Sequence, residues 1–600
     1  MNEQYDILIS NTTIVDGSGA PAYRGSVGIK GERIVAVGAV EGDAARVIDG
    51  SDLVTCPGFV DPHTHVDLTM HHYPLAENMV MQGITTCIGG NCGLSMAPIR
   101  DMDYAETVIA DSEGSSLDCN WRTFAEWLSV IEEKGAAVNY VPVVGHSTIR
   151  GAVMGNDFMR HSTSDEVEEM MELVEEAMQS GAFGLSAGLD MPWAGYYASF
   201  EEMVTLVKIV QENGGLFTPH TRHLRNLWPT DAPSERLYTM YDGPKAEVLT
   251  GRYHGLIEAV EICKQAGNAQ LHIAHLPLAY IIPQPHPEFL DDAIARSTLA
   301  EIIDKALDDG LDLTYNVIAA PFTIAGEIPI LDSFFKPMGP PPYWLDSIQT
   351  LGQDAFLKQL GTKEFREDMK KIVASGSFKF GMLHPATDPY WIDRYTILRN
   401  KNKNYEGKTI GDLARQRLPG CTLKMVYDIS FEVLFDILIQ DPETTWVLNL
   451  DNRGTSSTQA IFLQHPAGIP CTDAEAFPAS PPDKDIFGGY GISPSIYSLY
   501  PEYIQTFVKE RKALTLEEAI KKATYVPAQE IFKLKDRGLV EKGLYADLVV
   551  FDLARIKAIN DFLEPTRPPE GIEYVLVNGT LVYENQAHTG EKPGQVLRSN

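Results

Sequence analysis

Short apolar, β-branched runs punctuated by glycine open the chain. Asp6-Ile-Leu-Ile9, Thr13-Ile-Val15, Ser26-Val-Gly-Ile29, Arg33-Ile-Val-Ala-Val37 and Leu53-Val-Thr55 alternate with Gly17, Gly19, Gly25 and Gly31, which predicts strands and turns over residues 1–57. The far end has the same texture: Asp547-Leu-Val-Val-Phe551, then Tyr574-Val-Leu-Val577, with Asn578-Gly579 as a hairpin turn into Thr580-Leu-Val-Tyr583. Neither piece is large enough for a core of its own. Residues 1–57 and 538–600 are therefore expected to pair into one small β-sandwich.

Between them, apolar strand-like runs alternate with helices that carry start signals. Thr163-x-x-Glu166, Ser199-x-x-Glu202, Thr298-x-x-Glu301 and Thr515-x-x-Glu518 all match the capping box. The helix after Thr163 places Val167, Met170, Met171, Val174, Ala177 and Met178 on one face and stops at Gly181. The strand-like runs fall at 58–61, 84–89, 139–144, 182–187, 215–219, 270–274, 311–316 and 467–472. Eight strands with intervening helices predict an α/β fold, a (β/α)8 TIM-like barrel over 58–537. About 150 residues separate the seventh strand from the eighth, too many for a bare loop. An insertion over about 317–445 is expected, largely helical across 345–440. Before those helices, Ala320-Pro321 through Pro342-Tyr343-Trp344 is rich in proline and aromatics and suits a lid or pocket wall.

Composition narrows the class. Hydrophobic residues make up 44% and charged residues 22%, as in soluble globular proteins. The net charge of −33 argues against nucleic acid and anionic membranes as partners. The acidic N-terminus lacks the apolar core of a signal peptide, and no run approaches the roughly 18 apolar residues of a membrane span. Seven scattered cysteines, an odd number, are no disulfide framework, so a reducing, cytoplasmic setting is expected. The oligomeric state stays open, a homo-oligomer included.

Candidate chemistry gathers where the predicted strands end. The first ends in Gly58-Phe-Val-Asp-Pro-His63-Thr-His65, whose two histidines can aim at one point if strand alternation continues. The second ends in Gly89-Gly-Asn-Cys92-Gly93, the fifth in Pro219-His220-Thr221-Arg222, the sixth in Ala274-His275 and the eighth in Cys471-Thr472-Asp473. Each alone is more often structural than functional. Together, His63, His65, Cys92, His220, His275 and Asp473 could hold one or two divalent metals, and thiolate with imidazole favours zinc. A metal-bound water becomes hydroxide near neutral pH, and a carboxylate beside it can move the proton to a leaving group. Those parts fit hydrolysis of an amide in a small-molecule substrate. Asp451 rivals Asp473 for the carboxylate of the eighth strand. His71, His72 and His254 have no strand-end placement and are expected at the surface or in loops.

The order of these motifs resembles the amidohydrolase superfamily, and within it the N-acyl-D-amino-acid deacylases (D-aminoacylases). The matching stretches run from Gly58–His65 and Gly89–Gly93 through Gly145-His146-Ser-Thr-Ile-Arg150, Gly184-Leu-Ser-Ala-Gly-Leu189, His220-Thr-Arg222, Ala274-His275 and Thr472-Asp473 to Pro593-Gly-Gln-Val-Leu-Arg598. The resemblance implies a tight zinc on Cys92, His220 and His275, and a second, weaker or empty site on His63, His65 and Asp473. It makes Asp473 the general acid/base and puts His146, Arg150 and Arg222 near substrate. It implies cleavage of a linear amide, an N-acyl-D-amino acid or a relative. The alternatives are a cyclic-amide or other amide/ester hydrolase of the same scaffold and, more remotely, a non-catalytic binding protein.

Departures from the family bear on the substrate. The usual His-Pro-Arg segment after the strand-eight Asp is missing: Asp473 is followed by Ala-Glu-Ala-Phe477, with no arginine before Arg511. The usual acid soon after Arg222 is missing too, and Tyr315-Asn316-Val317-Ile318-Ala319-Ala320 after the seventh strand lacks the family's Tyr-Pro-Tyr. Trp193, Tyr196, Tyr197, Trp228, Phe334, Phe335, Tyr343 and Trp344 could line a bulky apolar pocket.

Overall fold

The computed structural model describes the chain apart from residues 1–4, 41, 103–104, 106–118, 190–193, 223–250, 277–288, 321–327, 330–351, 375–390, 394, 421, 449–454, 481–492, 562–563 and 600. Asp451 and, among the aromatics named above, Trp193, Trp228, Phe334, Phe335, Tyr343 and Trp344 lie outside the described residues.

Each of the eight predicted runs overlaps a strand: Phe59–Asp61 (β1), Ile84–Gly89 (β2), Asn139–Pro142 (β3), Gly184–Gly188 (β4), Leu216–His220 (β5), Gln270–Ile273 (β6), Leu313–Ile318 (β7) and Gly468–Cys471 (β8). They are buried almost throughout, which is why they appear as continuous apolar runs rather than as alternating ones. β1, β2 and β3 pair in parallel. Past Val143 the short strand Val144–Gly145 pairs with β4, and the parallel order continues β4-β5-β6-β7-β8. The residues just past β8 bond to those just past β1. The Asp473 N–H donates to the His63 carbonyl (3.0 Å) and the His65 N–H to the Ala474 carbonyl (2.8 Å). The buried Asp61 carboxylate joins the same seam by accepting from the Thr472 and His63 N–H groups.

Helices follow the strands where the start signals lie. Thr163 and Thr515 each close a full capping box, and Ser199 accepts from the Glu202 N–H. Thr298-x-x-Glu301 does not act as a cap. Thr298 is helical and sits where Phe289–Thr298 runs on through Leu299–Ile303 into Asp304–Asp308, and its hydroxyl bonds back to the Ile294 carbonyl. Thr298 is buried, so packing of the longer helix overrides the local preference for a start.

The two ends of the chain share one nine-stranded sheet, joined where Val54–Pro57 pairs antiparallel with Leu548–Phe551. Its two faces do different work, as the period-2 rule requires. Ile7, Ile9, Val27, Ile29, Leu548, Val550 and Leu576 form a core of their own, whereas Cys56, Val549, Phe551, Val575 and Val577 join the main core. The tail Pro593–Arg598 runs beside β3: the Tyr140 N–H donates to the Gln595 carbonyl and the Leu597 N–H to the Tyr140 carbonyl. Between β7 and β8 the expected helices are present (Gln353–Leu360, Lys363–Ala374, Ile410–Arg417 and Leu423–Gln440). A three-stranded antiparallel sheet accompanies them, Thr445–Leu448 lying between Ile328–Pro329 and Tyr395–Arg399. Among the described residues no helix is long and apolar enough to cross a membrane.

Candidate metal centre

The predicted ligand residues converge past the C-terminal ends of the parallel strands. Cys92 is the hub. Its Sγ lies 3.4 Å from His63 Nε2, 3.6 Å from His220 Nδ1 and 3.4 Å from His275 Nε2. Asp473 Oδ1 lies 3.2 Å from both His63 Nε2 and His65 Nε2. One donor atom from each of His63, Cys92, His275 and Asp473 falls within 4.8 Å of every other. His63 therefore stands between the two groups that the resemblance kept apart.

Local backbone makes this possible. β1 stops at Asp61, so His63 and His65 converge from the turn that leads into helix Val66–Thr69 and not by strand alternation. The loop after β2 must pass close to the ends of β3 and β4. A Cβ on Gly90 would lie 1.9 Å from the Val143 carbonyl oxygen, and one on Gly93 would lie 2.5 Å from the Gly188 nitrogen. Only glycine fits at both, which explains their place beside Cys92. Asp67 steadies the loop by accepting the Gly90 N–H at 2.8 Å. Cys92, His275 and Asp473 all adopt positive φ (50°, 29° and 57°). Such conformations cost about 1–3 kcal/mol each and gather at functional sites.

The electrostatics are those of a site built for positive charge. Burial would raise the Cys92 thiol, but His63, His275 and His220 around it hold it well below the ordinary thiol range. Burial would likewise raise Asp473, and His275, His63 and His65 hold it well below the carboxylate range. Burial lowers His63, yet Cys92 and Asp473 outweigh it and lift the ring to about 9. Burial wins at His275, which falls to about 4. Asp473 Oδ1 is buried and makes no well-directed hydrogen bond, although two imidazole nitrogens stand 3.2 Å away.

The sequence pattern of the amidohydrolase family matches residues 46–418 and 493–583. The chain belongs to the amidohydrolase family. Among the relatives of this amidohydrolase is the D-aminoacylase of Alcaligenes xylosoxydans xylosoxydans, 26% identical over 612 residues and covering 99% of this chain and 98% of that protein. The N-acyl-D-aspartate deacylase of the same organism is 27% identical over 599 residues, 99% of this chain and 95% of the other. Among solved structures, the N-acyl-D-glutamate deacylase of Bordetella bronchiseptica, complexed with zinc and a phosphonate inhibitor, has a TM-score of 0.69 at 23% identity and covers 100% of both chains. A D-aminoacylase structure has a TM-score of 0.68 at 24% identity, covering 99% of this chain and 100% of that one.

Elsewhere in the amidohydrolase, Arg150 and Arg222, expected to face substrate, are instead fully buried with their guanidinium groups occupied. Arg150 Nε donates to Glu202, and its terminal nitrogens donate to the carbonyls of Phe158, Ala194 and Arg160. Arg222 Nε donates to Glu258, and its terminal nitrogens donate to the carbonyls of Tyr196 and Ala198. Arg222 thereby ties the end of β5 to the segment after β4, and Arg150 ties its own helix to that segment and to residues 158–160. His146 shares the first network, with Nε2 2.7 Å from Glu202. His71 and His72 lie in a turn, His72 exposed, as expected of loop or surface residues, whereas His254 is buried on the helix Gly251–Gln265. Glu258 and Asp67 were not marked by the sequence, and Glu202 was marked only as the acid of a capping box. A polar residue inside a buried helix face was the one signal for the two glutamates.

Glu202 sets a testable pH response. Burial would raise its carboxyl, but His146 and Arg150 outweigh that and hold it at about 2. The folded value lies below the unfolded one, so the stabilisation is complete above about pH 5 and is lost as pH falls towards 2. Glu202→Gln leaves Arg150 buried without its counter-charge. It is expected to destabilise by about 3–5 kcal/mol at neutral pH, with the gap to wild type narrowing on acidification, as measured by denaturant unfolding across pH.

Proposed function

We propose that this amidohydrolase is a zinc-dependent deacylase that hydrolyses the linear amide of N-acyl-D-amino acids or closely related amides. The observation that carries the reading is the convergence of Cys92, His63, His65, His220, His275 and Asp473 at the ends of five parallel strands. These residues fit zinc. Ligands about 2.0–2.3 Å from one tetrahedral ion stand about 3.3–3.8 Å apart, and the Cys92 Sγ separations of 3.4, 3.6 and 3.4 Å fall in that range. The donor set of one thiolate, imidazoles and a carboxylate is also the soft-to-borderline mixture zinc prefers. Cys92, His220 and His275 would hold the tighter ion, and His63, His65 and Asp473 a second, weaker one.

Zinc, when bound, supplies a Lewis acid that makes water nucleophilic near neutral pH and polarises the substrate carbonyl. The rest belongs to the chain. Asp473, ionised at neutral pH, accepts the proton of the attacking water. It returns that proton to the departing amine nitrogen as the C–N bond breaks. His63 and His65, each 3.2 Å from Asp473 Oδ1, help to keep the carboxylate ionised and so ready to accept that proton. The scaffold reading is a closed (β/α)8 barrel over 58–537 with an insertion over about 317–445, flanked by a β-sandwich of 1–57 and 538–600. The bonds between Asp473 and His63 and between His65 and Ala474, and the enclosed Ile7–Leu548 core, support it. The free state of all the described cysteines supports a cytoplasmic setting.

The missing arginine after Asp473 favours a second reading, hydrolysis of a cyclic or otherwise uncharged amide on the same centre. Metal removal tests the shared claim. Exhaustive chelation is expected to abolish hydrolysis of N-acyl-D-amino acids, and stoichiometric zinc to restore it. Turnover that persists in demonstrably metal-free protein would refute it.

A further inference from the structure

We propose that Asn316 is a positioning residue for the metal centre, fixing the peptide of His275 in the left-handed conformation that turns its imidazole towards Cys92. The inference rests on the zinc reading of that centre. Asn316 lies on β7, fully buried, and touches none of the six ligand side chains' donor atoms in any recorded contact. Its side-chain oxygen accepts the His275 N–H. His275 stands two residues past β6 at φ 29°, a conformation that residues with a side chain rarely adopt, and its Nε2 is 3.4 Å from Cys92 Sγ. The next peptide is held by the same residue, since the Leu276 N–H donates to the Asn316 carbonyl at 3.0 Å.

The direction of the Asn316 amide is over-determined. The His275 N–H can only donate, so the amide oxygen must face it. The Cys471 thiol, 3.1 Å away, donates to the same oxygen. The amide nitrogen then faces His272 Nε2 at 3.0 Å, which must accept, and His272 Nδ1 carries the proton towards Thr314 Oγ1 at 2.7 Å. His272 and Thr314 are register partners of β6 and β7, so their side chains share a face. Flipping the amide would set donor against donor at His275 and at Cys471. The network thus runs from a strand pair to one strained peptide beside the centre.

The test measures zinc affinity of the full chain by competition with a chromophoric chelator, with zinc alone as the probe. Asn316→Leu removes the acceptor at similar volume and is expected to weaken zinc binding roughly 10–100-fold, the effect typical of groups that orient a ligand. Asn316→Asp keeps an acceptor and is expected to stay within about threefold of wild type. If the leucine variant does not fold, Asn316→Ala is read in its place. Wild-type affinity in either acceptor-free variant overturns the proposal. So does equal weakening by Asp and Leu, or a result in which only the Asp variant folds, which would mark a structural role. A wild-type chain that binds no zinc would instead overturn the reading of the centre itself.

Discussion

Asp473→Asn is expected to lower kcat for amide hydrolysis about 10²- to 10⁴-fold, the usual worth of a positioned general acid/base, while zinc stays bound. Asparagine keeps the shape but can neither take a proton from water nor hand one to the amine. Zinc should remain because Cys92 and its three imidazole neighbours are untouched. The positive φ of Asp473 is also one that asparagine tolerates well, so the fold should be preserved. Metal analysis and steady-state kinetics on the same preparation check both halves. A variant retaining more than a tenth of wild-type kcat would remove Asp473 from the proton transfers.

Cys92→Ser is expected to strip zinc and activity together. Cys92 stands within reach of three imidazoles, so it closes the ligand set rather than decorating it. Serine is nearly isosteric and keeps the turn between Gly90 and Gly93, but its hydroxyl does not ionise as the thiol does here. Spread over four ligands, a binding free energy of about 10–16 kcal/mol makes each worth roughly 70- to 900-fold in affinity. Zinc content after dialysis against a weak chelator reads the loss directly. Retention of one zinc per chain would contradict the role of Cys92.

Much of this was legible in the sequence because it is local. Parallel strands buried on both faces leave unbroken apolar runs, and the strand-end rule then turned those runs into positions for His63, Cys92, His220, His275 and Asp473. What stayed hidden depends on distance along the chain. Arg150 finds Glu202 across 52 residues and Arg222 finds Glu258 across 36, pairings that no local pattern marks. Side-chain type alone could not tell a substrate-facing arginine from one buried against carbonyls. Thr298 shows the opposite failure: its local signature is sound, yet packing carries the helix through it. The small sheet in the insertion pairs Tyr395–Arg399 with Thr445–Leu448, beyond the reach of a local pattern.

The central claim is tested most directly by the rate of acyl release from matched N-acyl-D- and N-acyl-L-amino acids and their carboxamides, using metal-quantified protein. Zinc-loaded protein is expected to turn over the D series, with the L series slower by at least about a hundredfold, which is about 2.7 kcal/mol of discrimination. Zinc-loaded protein that hydrolyses none of these amides, or prefers the L series, would contradict it.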